Sequence, residues 1–157
     1  MDSFQVLQID HVELFVPDRQ EAADWYCRVL GLQVVAGFDQ WTAKPGGPLM
    51  IATPAGGTKL ALFEGQPQQA RSTAGFHRVA FRVDAAGFLA FVRGLDHRQL
   101  SDHQGRAVTT DAVVDHDLAY SIYFCDPYGH RLEVTTYEHD AVREGLRSNP
   151  VVRPGAE

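Results

Sequence analysis

Apolar and polar residues alternate from Gln8 to Val16, a period of two that predicts a strand. Ile9, His11, Glu13 and Phe15 share one of its faces. Pro17 and Asp18 then break the pattern. From Arg19 to Leu30 the period lengthens: Ala22, Trp25, Tyr26, Val29 and Leu30 recur at helical spacing and give one apolar face. Asp18 is placed to cap that helix and Gly31 to follow its last turn. Short strands are predicted at Gln33 to Phe38, Leu49 to Thr53 and Lys59 to Phe63, punctuated by Pro45-Gly46-Gly47-Pro48 and Pro54-Ala55-Gly56-Gly57.

After a polar stretch, Glu64 to Gly75, the order repeats. Phe76 to Val83 reads as a strand, and Asp84 caps a helix with apolar positions Phe88, Leu89, Phe91, Val92 and Leu95. A polar loop, Asp96 to Arg106, leads to a weaker strand at Ala107 to Val114. Tyr120 to Cys125, the turn Asp126-Pro127-Tyr128-Gly129 and His130 to Tyr137 complete the second unit. The tail carries one helical turn after Asp140 and a polar end from Ser148 to Glu157. The expected class is therefore α+β: one domain of two β-α-β-β-β units, about 8–64 and 76–137, with a linker at 65–75 and a polar tail at 138–157. Each unit alone has little apolar area. Pairing them would curl two sheets around a shared cleft.

Composition narrows the functional classes. The chain has 157 residues, 45% of them apolar, which fits one domain with a real core. A net charge of −6 argues against a nucleic-acid binder. There is no long apolar run to span a membrane. Met1-Asp2-Ser3-Phe4-Gln5 lacks the basic start of a signal peptide, so a cytoplasmic location is expected. Cys27 and Cys125 have no near neighbours at zinc-site spacing and read as reduced, partly buried thiols.

Candidate chemistry lies in the strands. His11, His77 and Glu133 make two imidazoles and one carboxylate, a set that suits a divalent metal with positions left open for substrate. The bland alternatives are a satisfied core histidine for His11 and a solvent-facing strand residue for Glu133. His77 shares a face with Val79, Phe81 and Val83, where a polar group must find a partner. A three-residue connection with positive φ at Gly129 would set Tyr123 opposite Glu133, whereas a two-residue turn would put them on opposite faces. His116 lies among Asp111, Asp115 and Asp117, which makes it part of a surface cation site, a solvated loop or a functional group near the cleft. Glu13, two residues after His11, faces the same way and could orient a ligand, bind a cation or act as a base. His97, His103, His130 and His139 fall in loops, a turn and the tail.

Several of these residues carry a family resemblance. Asp10-His11-Val12, Val16-Pro17-Asp18, Trp25-Tyr26 and Val29-Leu30-Gly31-Leu32 are matched in the second unit by His77 with Ala80-Phe81 and by the run Tyr123 to Glu133. Together they resemble the vicinal oxygen chelate superfamily of glyoxalase I, extradiol dioxygenases, fosfomycin-thiol transferases and bleomycin-resistance proteins. The resemblance implies paired βαβββ modules, a small-molecule substrate, frequent homodimers, and a divalent metal on His11, His77 and Glu133, with Fe(II) or Mn(II) favoured over Zn(II) or Ni(II). It also implies a tyrosine beside the metal, here Tyr123, and a histidine near substrate or dioxygen, here His116.

The departures select among the members. Glyoxalase I has a glutamate on the last strand of its first unit, where this chain has Leu60 or Ala61, with Glu64 out of register at the strand end. Glu13 would oppose a phosphonate. Extradiol dioxygenases have a basic histidine where Leu62 or a neighbour stands. The expectation is a metal-dependent, dioxygenase-like oxidoreductase, with a glyoxalase-like or thiol-transferase enzyme and a non-catalytic drug binder as alternatives.

Overall fold

The computed structural model describes residues 10–66 and 77–148. The expected strand starts at Gln8 and Phe76, most of the linker and the polar end after Ser148 lie outside the described residues. The chain divides into two compact units, Met1–Arg71 and Ser72–Glu157.

The first unit runs β1 (His11–Val16), α1 (Arg19–Leu30), β2 (Gln33–Val34), α2 (Asp39–Thr42), β3 (Leu49–Ala52) and β4 (Lys59–Glu64). Its sheet has the order β1-β4-β3-β2, with β1 parallel to β4 and the other pairs antiparallel. The caps of α1 follow from the sequence. Asp18 Oδ1 accepts the N–H groups of Gln20 and Glu21, at 2.8 and 2.9 Å. Gly31, at φ 69°, donates to Cys27 O, a left-handed position that glycine takes without steric cost. Alternation in β1 buries Leu14 and Val16 and leaves His11 and Glu13 exposed. Helix α1 packs on β3 and β4 and buries Ala22, Tyr26 and Val29.

The second unit repeats the topology: β5 (Val79–Arg82), α3 (Ala85–Arg93), α4 (Leu95–Arg98), a 3-10 turn (Thr110–Ala112), β6 (Val114–Asp115), β7 (Tyr120–Cys125), β8 (Arg131–Thr136) and α5 (His139–Arg147). The order is β5-β8-β7-β6, again with the first pair parallel. Phe88, Val92, Ile122, Leu132 and Val134 are buried in its core, and the rings of Phe91 and Phe124 lie 5.6 Å apart.

Three elements differ from expectation. Strand β2 stops at Val34 because the chain turns at Gly37, φ 93°, into α2. The weak strand at 107–114 shrinks to Val114–Asp115, since Asp102 accepts the Gln104 and Arg106 N–H groups and folds the preceding loop. The tail forms the nine-residue α5 because Val142 and Leu146, one turn apart, are both buried. No helix among the described residues is long and apolar enough to cross a membrane.

The β7–β8 connection is built around Asp126. Its buried carboxylate accepts from Tyr128 N at 3.0 Å, His130 N at 2.8 Å and His130 Nδ1 at 2.6 Å. Asp126 N donates to His130 O, and Gly129 takes φ 97°. Replacing Asp126 with Ala strands several donors and is expected to cost about 3 kcal/mol, with Asp126→Asn costing less. Urea unfolding followed by circular dichroism measures both.

Candidate functional site

In the first unit, β1 and β4 set His11 beside Lys59 and Glu13 beside Ala61. Ala61, opposite Glu13, carries only a methyl group and cannot ligate. Glu64, at the end of β4, is committed to Arg19 Nε at 3.2 Å. Asp10 bridges two side chains: its Oδ1 accepts from Lys59 Nζ at 2.7 Å and its Oδ2 lies 2.8 Å from His11 Nδ1. The other nitrogen of His11, Nε2, is 3.5 Å from Glu13 Oε1. The Asp10 hydrogen bond, with a smaller contribution from Glu13 and against burial, raises the His11 pKa above its ordinary 6.5. Lys59 first, then His11, lower that of Asp10.

In the second unit, three strands bring residues into line. Tyr123 pairs with Glu133 across β7 and β8, and Ala80 pairs with Glu133 across β5 and β8. The Asp126 turn produces the Tyr123 pairing that a three-residue connection was expected to give. Ser121 Oγ donates to Glu133 Oε1 at 2.7 Å and lies 3.0 Å from Thr135 Oγ1. Tyr123 OH is 2.7 Å from His116 Nε2. His116 is held on the β6–β7 turn, where its N–H donates to Ala119 O at 2.8 Å. The neighbouring Asp115 is engaged elsewhere and accepts from His139 Nε2 at 2.6 Å.

The residue beside Glu133 is Arg78. Its Nη1 is 3.9 Å from Glu133 Oε2, and its Cζ stands 4.1 Å from the centroid of the Tyr123 ring. Arg78, Ala80 and Glu133 share a face by alternation. His77, exposed and two residues before β5, has the parity of Val79 and buried Phe81. No hydrogen bond or ion pair among the described residues joins His77 to Glu133. The two histidines are thus not on equivalent faces, because His11 has the parity opposite to buried Leu14 and Val16. The signal was in the strand itself, since Arg78 and Arg82 alternate with Val79, Phe81 and Val83. Ser121 was missed as well, because its importance comes from the β7–β8 register.

The donor sets bear on a divalent metal. His11 suits one: a carboxylate on Nδ1 is the usual partner of a ligating imidazole and leaves Nε2 as the lone-pair side. The second unit does not. Arg78 has only donors and a fixed positive charge, so it cannot ligate, and it lies where a second ligand on the Glu133 face would stand. Neither unit gathers three metal-competent His, Cys, Asp or Glu side chains among its described residues. Burial pushes the Cys27 and Cys125 thiols up, away from reactive thiolates.

The family model of the Glyoxalase/Bleomycin resistance protein/Dioxygenase superfamily matches residues 8–134. The chain belongs to this superfamily. Solved members share the fold. The glyoxylase/bleomycin resistance protein/dioxygenase domain from Frankia sp. EAN1pec is 20% identical, with 85% of this chain and 93% of that chain covered and a TM-score of 0.62. A glyoxalase/dioxygenase from Nostoc punctiforme is 23% identical, with 87% and 98% covered and a TM-score of 0.59. A mutant of the fosfomycin resistance protein FosX from Listeria monocytogenes, complexed with Mn(II) and 1S,2S-dihydroxypropylphosphonic acid, is 13% identical, with 87% and 97% covered and a TM-score of 0.59. At these identities the likeness shows the fold alone. No curated protein matches the chain.

The His11 environment makes a testable statement about pH. The folded state holds the imidazolium more strongly than the unfolded chain. The resulting stabilisation is complete below 6.5 and is lost as pH rises through the higher folded-state pKa. Proton NMR titration of the His11 ring should give a midpoint above 6.5, and Asp10→Asn should lower it.

Proposed function

We propose that this superfamily member binds a small oxygenated molecule on the Glu133 face of its second unit and moves a proton through Tyr123 and His116. The observation that carries the reading is the 2.7 Å contact between Tyr123 OH and His116 Nε2, made by a tyrosine in register with Glu133. A phenol hydrogen-bonded to an imidazole can donate a proton at its oxygen and recover one through the ring nitrogen. Glu133, held by Ser121, fixes the electrostatics of the same face. His116 is exposed and can exchange its proton with solvent.

A panel of catechols, followed by dioxygen uptake, and a panel of α-hydroxy and α-keto carbonyl compounds, followed by NMR, test this. Turnover of a member is expected to fall about 100-fold in Tyr123→Phe and in His116→Ala, with binding retained. Turnover unchanged in both variants removes the reading. Binding without turnover of any member makes the chain a non-catalytic binder.

A second reading is a divalent-ion enzyme, dioxygenase-like or glyoxalase-like. The Asp10–His11 pair favours it, and Arg78 weighs against it. Elemental analysis after anaerobic purification decides. Stoichiometric metal that is lost in both His11→Ala and Glu133→Ala supports this reading, and metal that is absent or unaffected by either change ends it.

A further inference from the structure

Arg78 presents five N–H donors. Its Nε is buried and has no hydrogen-bond partner among the described residues. Among the described residues its closest acid is Glu133 at 3.9 Å, a charge contact too long for a hydrogen bond. The other oxygen of Glu133 is already taken by Ser121. A polar group this far out of water is normally bonded, so the cluster is rich in donors and short of an acceptor. The Tyr123 ring lies against the guanidinium, with its centroid 4.1 Å from Arg78 Cζ.

The surroundings favour a negative guest. Arg78 and Arg131 line a crevice of about 20 Å³ together with His103 and Tyr123. That is room for one water-sized group. Asp102, on the same crevice, is neutralised by Arg106 at 2.7 Å. Glu133 is the opposing charge, and it sets a limit on affinity.

We propose that Arg78 is an anchor for a carboxylate on the small molecule, gripped edge-on by the guanidinium beside the Tyr123 hydroxyl. A planar carboxylate matches the guanidinium fork in two parallel hydrogen bonds. The substrate class would then be small carboxylic acids bearing a second oxygen function that reaches Tyr123. The position of that second function rests on the Tyr123–His116 reading above, whereas the anchor does not.

The test uses benzoate, phenylphosphonate and neutral benzamide, titrated at millimolar levels into the full chain. The readout is the Arg78 Nε–Hε NMR cross-peak, assigned by its loss in Arg78→Lys. Benzoate is expected to shift this peak saturably and benzamide to leave it in place. By isothermal titration calorimetry, which does not depend on that peak, Arg78→Lys should weaken benzoate at least tenfold, because an ammonium cannot make the paired bonds. Glu133→Gln should tighten it several-fold by removing the competing charge. Phenylphosphonate binding in preference to benzoate overturns the carboxylate assignment. Failure of both anions to move the peak, or benzoate binding unchanged in Arg78→Lys, overturns the anchor. Amide spectra of each variant confirm that the fold persists. Loss of turnover in Tyr123→Phe would leave the proton-transfer reading standing whether or not benzoate binds at Arg78.

Discussion

Strand register is the constraint on which the second unit depends. Because side chains alternate across a sheet, a slip of one residue exchanges its two faces. Asp126 prevents the slip at one junction by gathering two backbone N–H groups and an imidazole around a buried carboxylate. With that turn closed, Tyr123 meets Glu133, Ser121 meets Thr135, and the apolar set of Ile122, Phe124, Leu132 and Val134 stays in the core. The core and the polar face are therefore fixed by the same turn.

The parallel pairing of β5 with β8 carries the second half of the arrangement. It places Ala80, a small residue, against Glu133 and leaves lateral space for the Arg78 side chain. A cation beside the carboxylate changes what that carboxylate can do. Flanked by a guanidinium and a donating hydroxyl, it is engaged by its neighbours on both oxygens.

Much of this was legible in the sequence because the signals were local. Asp18 and Gly31 announce both ends of α1, and the alternation of β1 sorts His11 from Leu14 without any tertiary knowledge. The repeat of strand, helix and three strands shows in the spacing of apolar runs alone. What escaped was set by distant contacts. Helix α5 draws its stability from burying Val142 and Leu146, which a polar tail conceals. The place of Arg78 depends on the β5–β8 register, which ties its face to that of Glu133 and which the sequence of β5 alone does not carry.

The hydroxyl of Tyr123 comes from the middle of a strand, whereas its partner imidazole comes from a tight bend stabilised by the His116–Ala119 bond and by Asp117 at φ 65°. The two are inherited on different terms. Altering the tyrosine disturbs a pleat shared with Glu133, while the bend can be lengthened or recast at little expense to the scaffold. Divergence among descendants of such a chain should accordingly concentrate at the bend and spare the pleat.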